Sequence, residues 1–123
     1  MNVGDVITWK RIFTEDDIRQ FGRFSGDEGI HHIQTDDQGR LMAQGLLTAT
    51  LPTKIGGDLN FIAWDMTFTF LRPVFANDAI ECRVTITALH ETQDLMHVSS
   101  KWTCLNERCK EVMNGHAVGF IRR

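Results

Sequence analysis

At 123 residues the chain has the length of one domain, residues 1–123, with a single core and no room for a separate DNA-reading or cofactor-binding module. A net charge of -3 and a pI near 5.9 leave no basic surface for phosphates, so neither nucleic acid nor an anionic membrane is an expected partner. No apolar run approaches the roughly 20 residues of a membrane span, and the opening Met-Asn-Val-Gly-Asp lacks the basic and apolar regions of a secretory leader, so a cytoplasmic protein is expected.

Val6 to Phe13 is rich in β-branched and aromatic residues and reads as a first strand. Thr14 then caps a helix. Asp17 stands where its carboxylate completes a capping box, Phe13 and Ile18 occupy the positions of a hydrophobic staple, and Glu15, Asp16 and Asp17 suit the positive end of the helix dipole. Ile18, Phe21 and Phe24 continue one helical face, and Ser25-Gly26 should end it with glycine in the left-handed conformation.

A polar, turn-forming loop follows through Gln34 to Gly39. From Leu41 to Ile55 the only charge is Lys54, and the apolar residues are not confined to one stripe, so a helix surrounded by other structure is expected. Pro52 should bend or tighten its second half, and Gly56-Gly57 should end it.

The remainder reads as strands. Trp64 to Phe70 and Ile80 to Ala88 alternate, Met96, Val98, Ser100, Trp102 and Cys104 line one face of a third, and its partner runs from about Lys110 to Ile121 after a turn at Asn106-Glu107. The short links at Arg72–Asp78 and Glu91–Asp94 fit antiparallel neighbours. Cys82, Cys104 and Cys109 make an odd count in or beside strands and read as small buried residues of a reduced protein; no other ligands stand near Cys104 and Cys109 to complete a metal set.

A strand, a helix, a loop, a buried helix and four long strands are satisfied by an α+β domain in which a curved antiparallel sheet wraps a central apolar helix, the hot-dog architecture. One such sheet leaves a strand edge and part of the helix uncovered, so a homodimer or a larger hot-dog oligomer is expected.

The chemistry-bearing stretch is Ser25 to Gly45. Asp27 and His32 lie five residues apart past the end of one helix, and a glycine opens the next, an arrangement suited to an acid/base pair facing an oxyanion site. Taken alone, a Ser-Gly-Asp turn and a loop histidine are ordinary structural features, and Gly45 equally suits tight helix packing.

Here the sequence resembles the MaoC-like (R)-specific enoyl-CoA hydratases and the related (3R)-hydroxyacyl dehydratases. Phe24-Ser25-Gly26-Asp27, His32, Gln44-Gly45-Leu46-Leu47 and Phe70-Leu71-Arg72-Pro73-Val74-Phe75-Ala76-Asn77-Asp78 follow that family's three segments in order. The departures are Gly29-Ile30 in place of Asn-Pro, His31 in place of an aliphatic residue, Gln44 in place of His, and Asn77 in place of Gly. Without Asn-Pro the turn should hold the two side chains less firmly.

The resemblance implies a hydro-lyase acting on trans-2-enoyl thioesters of coenzyme A or an acyl carrier, with no metal and no redox cofactor. It places the catalytic pair on Asp27 and His32, the oxyanion amide on Gly45, and substrate-binding positions on Gln44 and Thr53. Thr53 also suits a helix-face residue bonding its own backbone. Arg72 suits a strand end better than a phosphate contact, His31 reads as a spacer turned away from the pair, and His90, His97 and His116 are too dispersed to define a site. Two alternatives stay open: an acyl-CoA-binding hot-dog domain without chemistry, and a hot-dog acyl thioesterase, against whose helix version stands the lack of Asp or Glu from Leu41 to Gly57.

Overall fold

The computed structural model describes residues 1–123. Strand β1 (Val6–Ile12) leads into helix α1 (Glu15–Ser25), a single 3-10 turn (Ile30–His32), the short helix α2 (Gly45–Thr48), helix α3 (Thr50–Asp58), and four strands, β2 (Phe61–Phe70), β3 (Ala79–Glu91), β4 (Leu95–Leu105) and β5 (Glu111–Arg122). The strands form one antiparallel sheet in the order β1-β3-β4-β5-β2.

The start of α1 is built as its residues require. Thr14 Oγ1 accepts from the Asp17 amide, the Asp17 carboxylate accepts from the Thr14 amide, and Phe13 and Ile18 are fully buried side by side in the core. Phe13 thus leaves the strand it was assigned to. The helix ends at Ser25, and Gly26 takes the left-handed conformation at φ 82°. Phe24, expected on the inner face with Ile18 and Phe21, is instead 91 % exposed, and Gly22 is the buried residue of that turn. A bulky side chain at Gly22 would strike the loop that doubles back over it, so the helix rotates its glycine inward and Phe24 outward.

The central helix begins at Gly45, the glycine expected to open it, and departs from expectation at its far end: it is interrupted at Ala49 and runs through Gly56-Gly57 to Asp58 before the chain leaves by Asn60 at φ 56°. Pro52 has no amide to offer the Thr48 carbonyl, and the next bond, from Thr53 N to Ala49 O, is stretched to 3.4 Å, which places the break before the proline. Leu47, Leu51 and Ile55 face the sheet, while Leu46, Thr53 and Lys54 are exposed, so one protomer covers the helix on one side only.

The inner face of the sheet is Ile80, Cys82, Val84 and Ile86 on β3 with Val98, Ser100, Trp102 and Cys104 on β4, all buried. Cys82 and Cys104 stand directly opposite each other, and the hydrogen bond between them and their burial raise the Cys104 thiol's pKa far above its ordinary value. Cys109, expected to be buried, is exposed in the β4–β5 turn. Strand β2 carries a bulge between Ala63 and Asp65 that resets its alternation: Phe61, Ala63 and Met66 face inward, and Trp64 turns outward against Phe120 and His97.

The link Arg72–Asp78 does not join neighbours, contrary to the reading from its length. It returns from the edge strand β2 to β3 across β5 and β4, and is carried there by a short ribbon in which Ala43 N donates to Val74 O and Ala76 N to Leu41 O. This ribbon fixes Met42, which bridges to Phe75, directly beneath the loop that holds the candidate site.

Candidate active site

After Gly26 the chain folds back on α1. Ser25 Oγ donates to Phe21 O at 2.6 Å and accepts from Asp27 N at 3.0 Å; Asp27 Oδ1 in turn accepts from Gly29 N at 3.4 Å. His32 N donates to Gly29 O at 2.8 Å and closes the 3-10 turn. These local bonds close the turn that has Gly29-Ile30 in place of Asn-Pro.

His32 is only 7 % exposed. Its Nδ1 lies 2.8 Å from Met42 O, and a carbonyl oxygen can only accept, so Nδ1 carries a proton and Nε2 is the ring nitrogen left for other partners. That nitrogen faces Asp27 Oδ2 at 3.6 Å, and the Asp27 side chain is 54 % exposed. The gap is too long for a direct hydrogen bond and suits a bridging water. Around the pair lies a cleft of about 90 Å³ closed by Gly22, Arg19 and Arg23 of α1, room for about three waters at roughly 30 Å³ each.

His31 is not turned away from the pair; its ring centroid is 3.9 Å from that of His32, covering one face of the imidazole. His90 and His97 are paired across β3 and β4, and His116 meets Thr67, all remote in sequence and strand position from Asp27. No cluster of three or more His, Cys, Asp or Glu side chains is placed to hold a metal ion, and no helix is long and apolar enough to cross a membrane.

Gly45 opens α2, and its amide has no acceptor one turn back in the helix. A Cβ there would sit 2.9 Å from Phe70 Cε1, so glycine is what lets the Phe70 ring close on the helix start. Gly45 lines a groove of about 290 Å³ with Met42, Phe70 and Arg72, and that groove does not include Asp27 or His32. Asp27 and His32 line one cleft and Gly45 lines another, and Met42 takes part in both, with its carbonyl on His32 and the residue lining the Gly45 groove.

Gln44, expected to touch substrate, is 1 % exposed and lines none of these cavities; its amide donates to Ile18 O at 2.9 Å and to Asp27 O at 3.4 Å. Thr53 donates to Ala49 O at 2.9 Å, as a helix-face threonine does, and also borders a third cavity of about 190 Å³ between α3 and the sheet, walled by Ile55, Gly56, Phe61, Val84 and Trp102. Arg72 donates to Glu111 O, which ties the strand end down. The sequence reading missed Met42, because a backbone carbonyl leaves no mark on residue type, and Gly22, which was visible as a glycine inside a helix.

No family model and no curated protein matches the chain by sequence. Solved structures do match. The R-hydratase PhaJ1 from Pseudomonas aeruginosa superimposes with a TM-score of 0.85 at 21% identity, over 99% of this chain and 82% of that one. An (R)-hydratase from A. caviae gives 0.85 at 22% identity over 98% of this chain and 97% of its own. This is the hot-dog fold. A MaoC-like dehydratase from Rhodospirillum rubrum shares it with a TM-score of 0.79 at 18% identity, covering 100% of this chain and 94% of that one. These hot-dog likenesses are of fold, and the chemistry is argued from the residues.

Proposed function

We propose that the protein is a hydro-lyase that adds water reversibly to a trans-2-enoyl thioester, giving the (3R)-hydroxyacyl thioester. One observation carries the reading: a buried imidazole, its Nδ1 bonded to a backbone carbonyl, turns Nε2 to a carboxylate oxygen at 3.6 Å, close enough for one water to bridge both from the side. A water held there donates a hydrogen bond to the member of the pair that acts as base and accepts one from the member that is protonated. One of the pair removes a proton as the oxygen bonds to the β-carbon, and the other, in its acid form, gives a proton to the α-carbon from the same side, so the net change is syn addition of H and OH. Such acid/base participation is worth about 10²- to 10⁴-fold in rate.

The Gly45 amide, unpaired within its helix, is assigned to the enolate-like thioester oxygen, with the thioester crossing Met42 between groove and cleft. With α2 only four residues long, the single N–H contributes more than any helix dipole. The acyl tail enters the cavity between α3 and the sheet, and its carrier is coenzyme A or an acyl carrier protein. No metal or redox cofactor takes part. Strand β2 has a free edge and exposes Trp64, Met66 and Phe70 beside Leu46, so a second copy pairing along β2 completes a homodimer in the cytoplasm.

A second reading, an acyl-CoA-binding domain without turnover, is favoured by the separation of Gly45 from the Asp27–His32 cleft. A thioesterase is not favoured, since the only carboxylate on α2 and α3 is Asp58, paired with Lys54 at the far end. Loss of enoyl absorbance from crotonyl-CoA and a longer enoyl-CoA separates the readings. Wild type should hydrate, and Asp27→Asn and His32→Ala should each lose at least about 100-fold. Binding without turnover in the wild type establishes the second reading, and release of free thiol the third.

A further inference from the structure

Gln44 stands where the resembled family has histidine, and it lines neither the Asp27–His32 cleft nor the Gly45 groove. Its side-chain amide donates to Ile18 O of α1 and to Asp27 O of the catalytic arm, while its own backbone carbonyl accepts from Leu47 N at 3.0 Å and Thr48 N at 3.3 Å to start α2. The next residue is Gly45. One buried residue therefore grips the base of the acid/base arm and the peptide that carries the candidate oxyanion amide.

Gln44 Oε1 is buried without a partner, which shows that the donor end governs the orientation: a flipped amide would set Oε1 against two carbonyl oxygens. Gly22 supplies the room, since a Cβ there would lie 3.3 Å from Asp27 O and 3.4 Å from Gln44 Nε2.

We propose that Gln44 is a positioning residue that holds the Asp27–His32 arm in register with the Gly45 amide, acting on turnover and not on substrate affinity. The proposal rests on the hydratase reading for its kinetics, but not for its geometry. The far end of the arm is tied to the segment before α2 by Met42, whose carbonyl meets His32 Nδ1 and whose amide donates to His31 O, but at Asp27 itself the side chain is exposed, the bonds at Ser25 and Gly29 are internal to the turn, and Gln44 supplies the tie toward α2. A displacement of about 1 Å at reacting groups costs up to about 10²-fold.

The test compares Gln44→Leu, Gln44→His, Gln44→Glu and Gly22→Ala by kcat, KM and thermal melting, with the His32 imidazole ¹⁵N signals as a readout that needs no turnover. Gln44→Leu removes both bonds and should lower kcat about 10- to 100-fold with KM within about twofold, and should shift the His32 signals. Gln44→His restores one donor and should recover part of kcat. Gln44→Glu should lose activity relative to wild type as pH rises, because the protonated acid still donates to a carbonyl and the carboxylate repels it. Gly22→Ala favours the helix but sets a Cβ 3.3 Å from Asp27 O and 3.4 Å from Gln44 Nε2, so in a variant whose melting point is retained, displacement of this junction predicts lower kcat and shifted His32 signals, and normal values of both count against it. Normal kcat and unshifted His32 signals in Gln44→Leu and Gly22→Ala overturn the proposal. Shifted signals with an inactive wild type overturn the hydratase reading and leave the strut standing.

Discussion

Replacing Gly56 with leucine should shorten the acyl chain the protein accepts. Gly56 lies on the wall of the cavity between α3 and the sheet, and a Cβ there meets only Phe61, at 3.5 and 3.8 Å, ordinary contact distances. The helix tolerates the change, because leucine in a helix interior is favoured over glycine by somewhat under about 1 kcal/mol. At roughly 30 Å³ for each water-sized group, the cavity of about 190 Å³ holds about six methylene-sized groups. Each buried methylene contributes about 0.8 kcal/mol, close to fourfold in kcat/KM.

Wild-type kcat/KM should therefore climb about fourfold per methylene until about six are buried, and then level. The four side-chain carbons of leucine leave room for about two such groups, so an eight-carbon enoyl thioester loses about two to three buried methylenes and its preference over a four-carbon one should fall by about 2 kcal/mol, or about 30-fold, with the short substrate nearly unaffected. The assay is the chain-length series of kcat/KM, with thermal melting as a control. An unaltered series, or an equal loss at every length in a stable variant, refutes the placement of the tail in this cavity.

At the pair itself, Asp27→Asn should reduce kcat by about 10²- to 10⁴-fold while leaving the fold intact, because the side chain is half exposed and makes only one weak backbone bond; circular dichroism and turnover check both halves. A thiol reagent should label one cysteine, Cys109, in the native protein and all three after denaturation, since Cys82 and Cys104 are fully buried, and their mutual hydrogen bond and burial keep the Cys104 thiol protonated. Acid should loosen the loop at Asp36. Backbone hydrogen bonding from Arg40, with further bonds from its side chain and from Gln38, holds that carboxyl's pKa below 3.8, so the stabilisation is present above 3.8 and disappears as pH falls through the lowered value. Asp36→Asn should remove the pH dependence, read by amide exchange of Gln38 and Arg40.

Much of the fold was legible because it is written in local patterns. The capping box at Thr14 and the alternation of β3 and β4 each depend on residues a few positions apart, and each appears where read. The errors fall where distant parts decide. Phe24 has helical spacing with Ile18, yet the returning loop claims that face at Gly22; Gly56-Gly57 reads as a stop, yet α3 continues because its carbonyls are satisfied by the following turn at Leu59 and Asn60. The length of the Arg72–Asp78 link suggested a hairpin, whereas the sheet order sends it across two strands.

By itself the sequence determined a single domain of strands around an apolar helix, and an acid and an imidazole close enough along the chain to meet after a left-handed glycine. Only the tertiary structure decided how they meet. The proton on His32 Nδ1 is set by the carbonyl of Met42, ten residues on, and Met42 is held by a ribbon to the Val74 segment. Gly45 was brought to a neighbouring groove, and Gln44 to the junction between α1 and the arm. Backbone acceptors and buried struts draw on groups that every residue carries, so their partners follow from packing across the chain and leave no signature in the order of side chains.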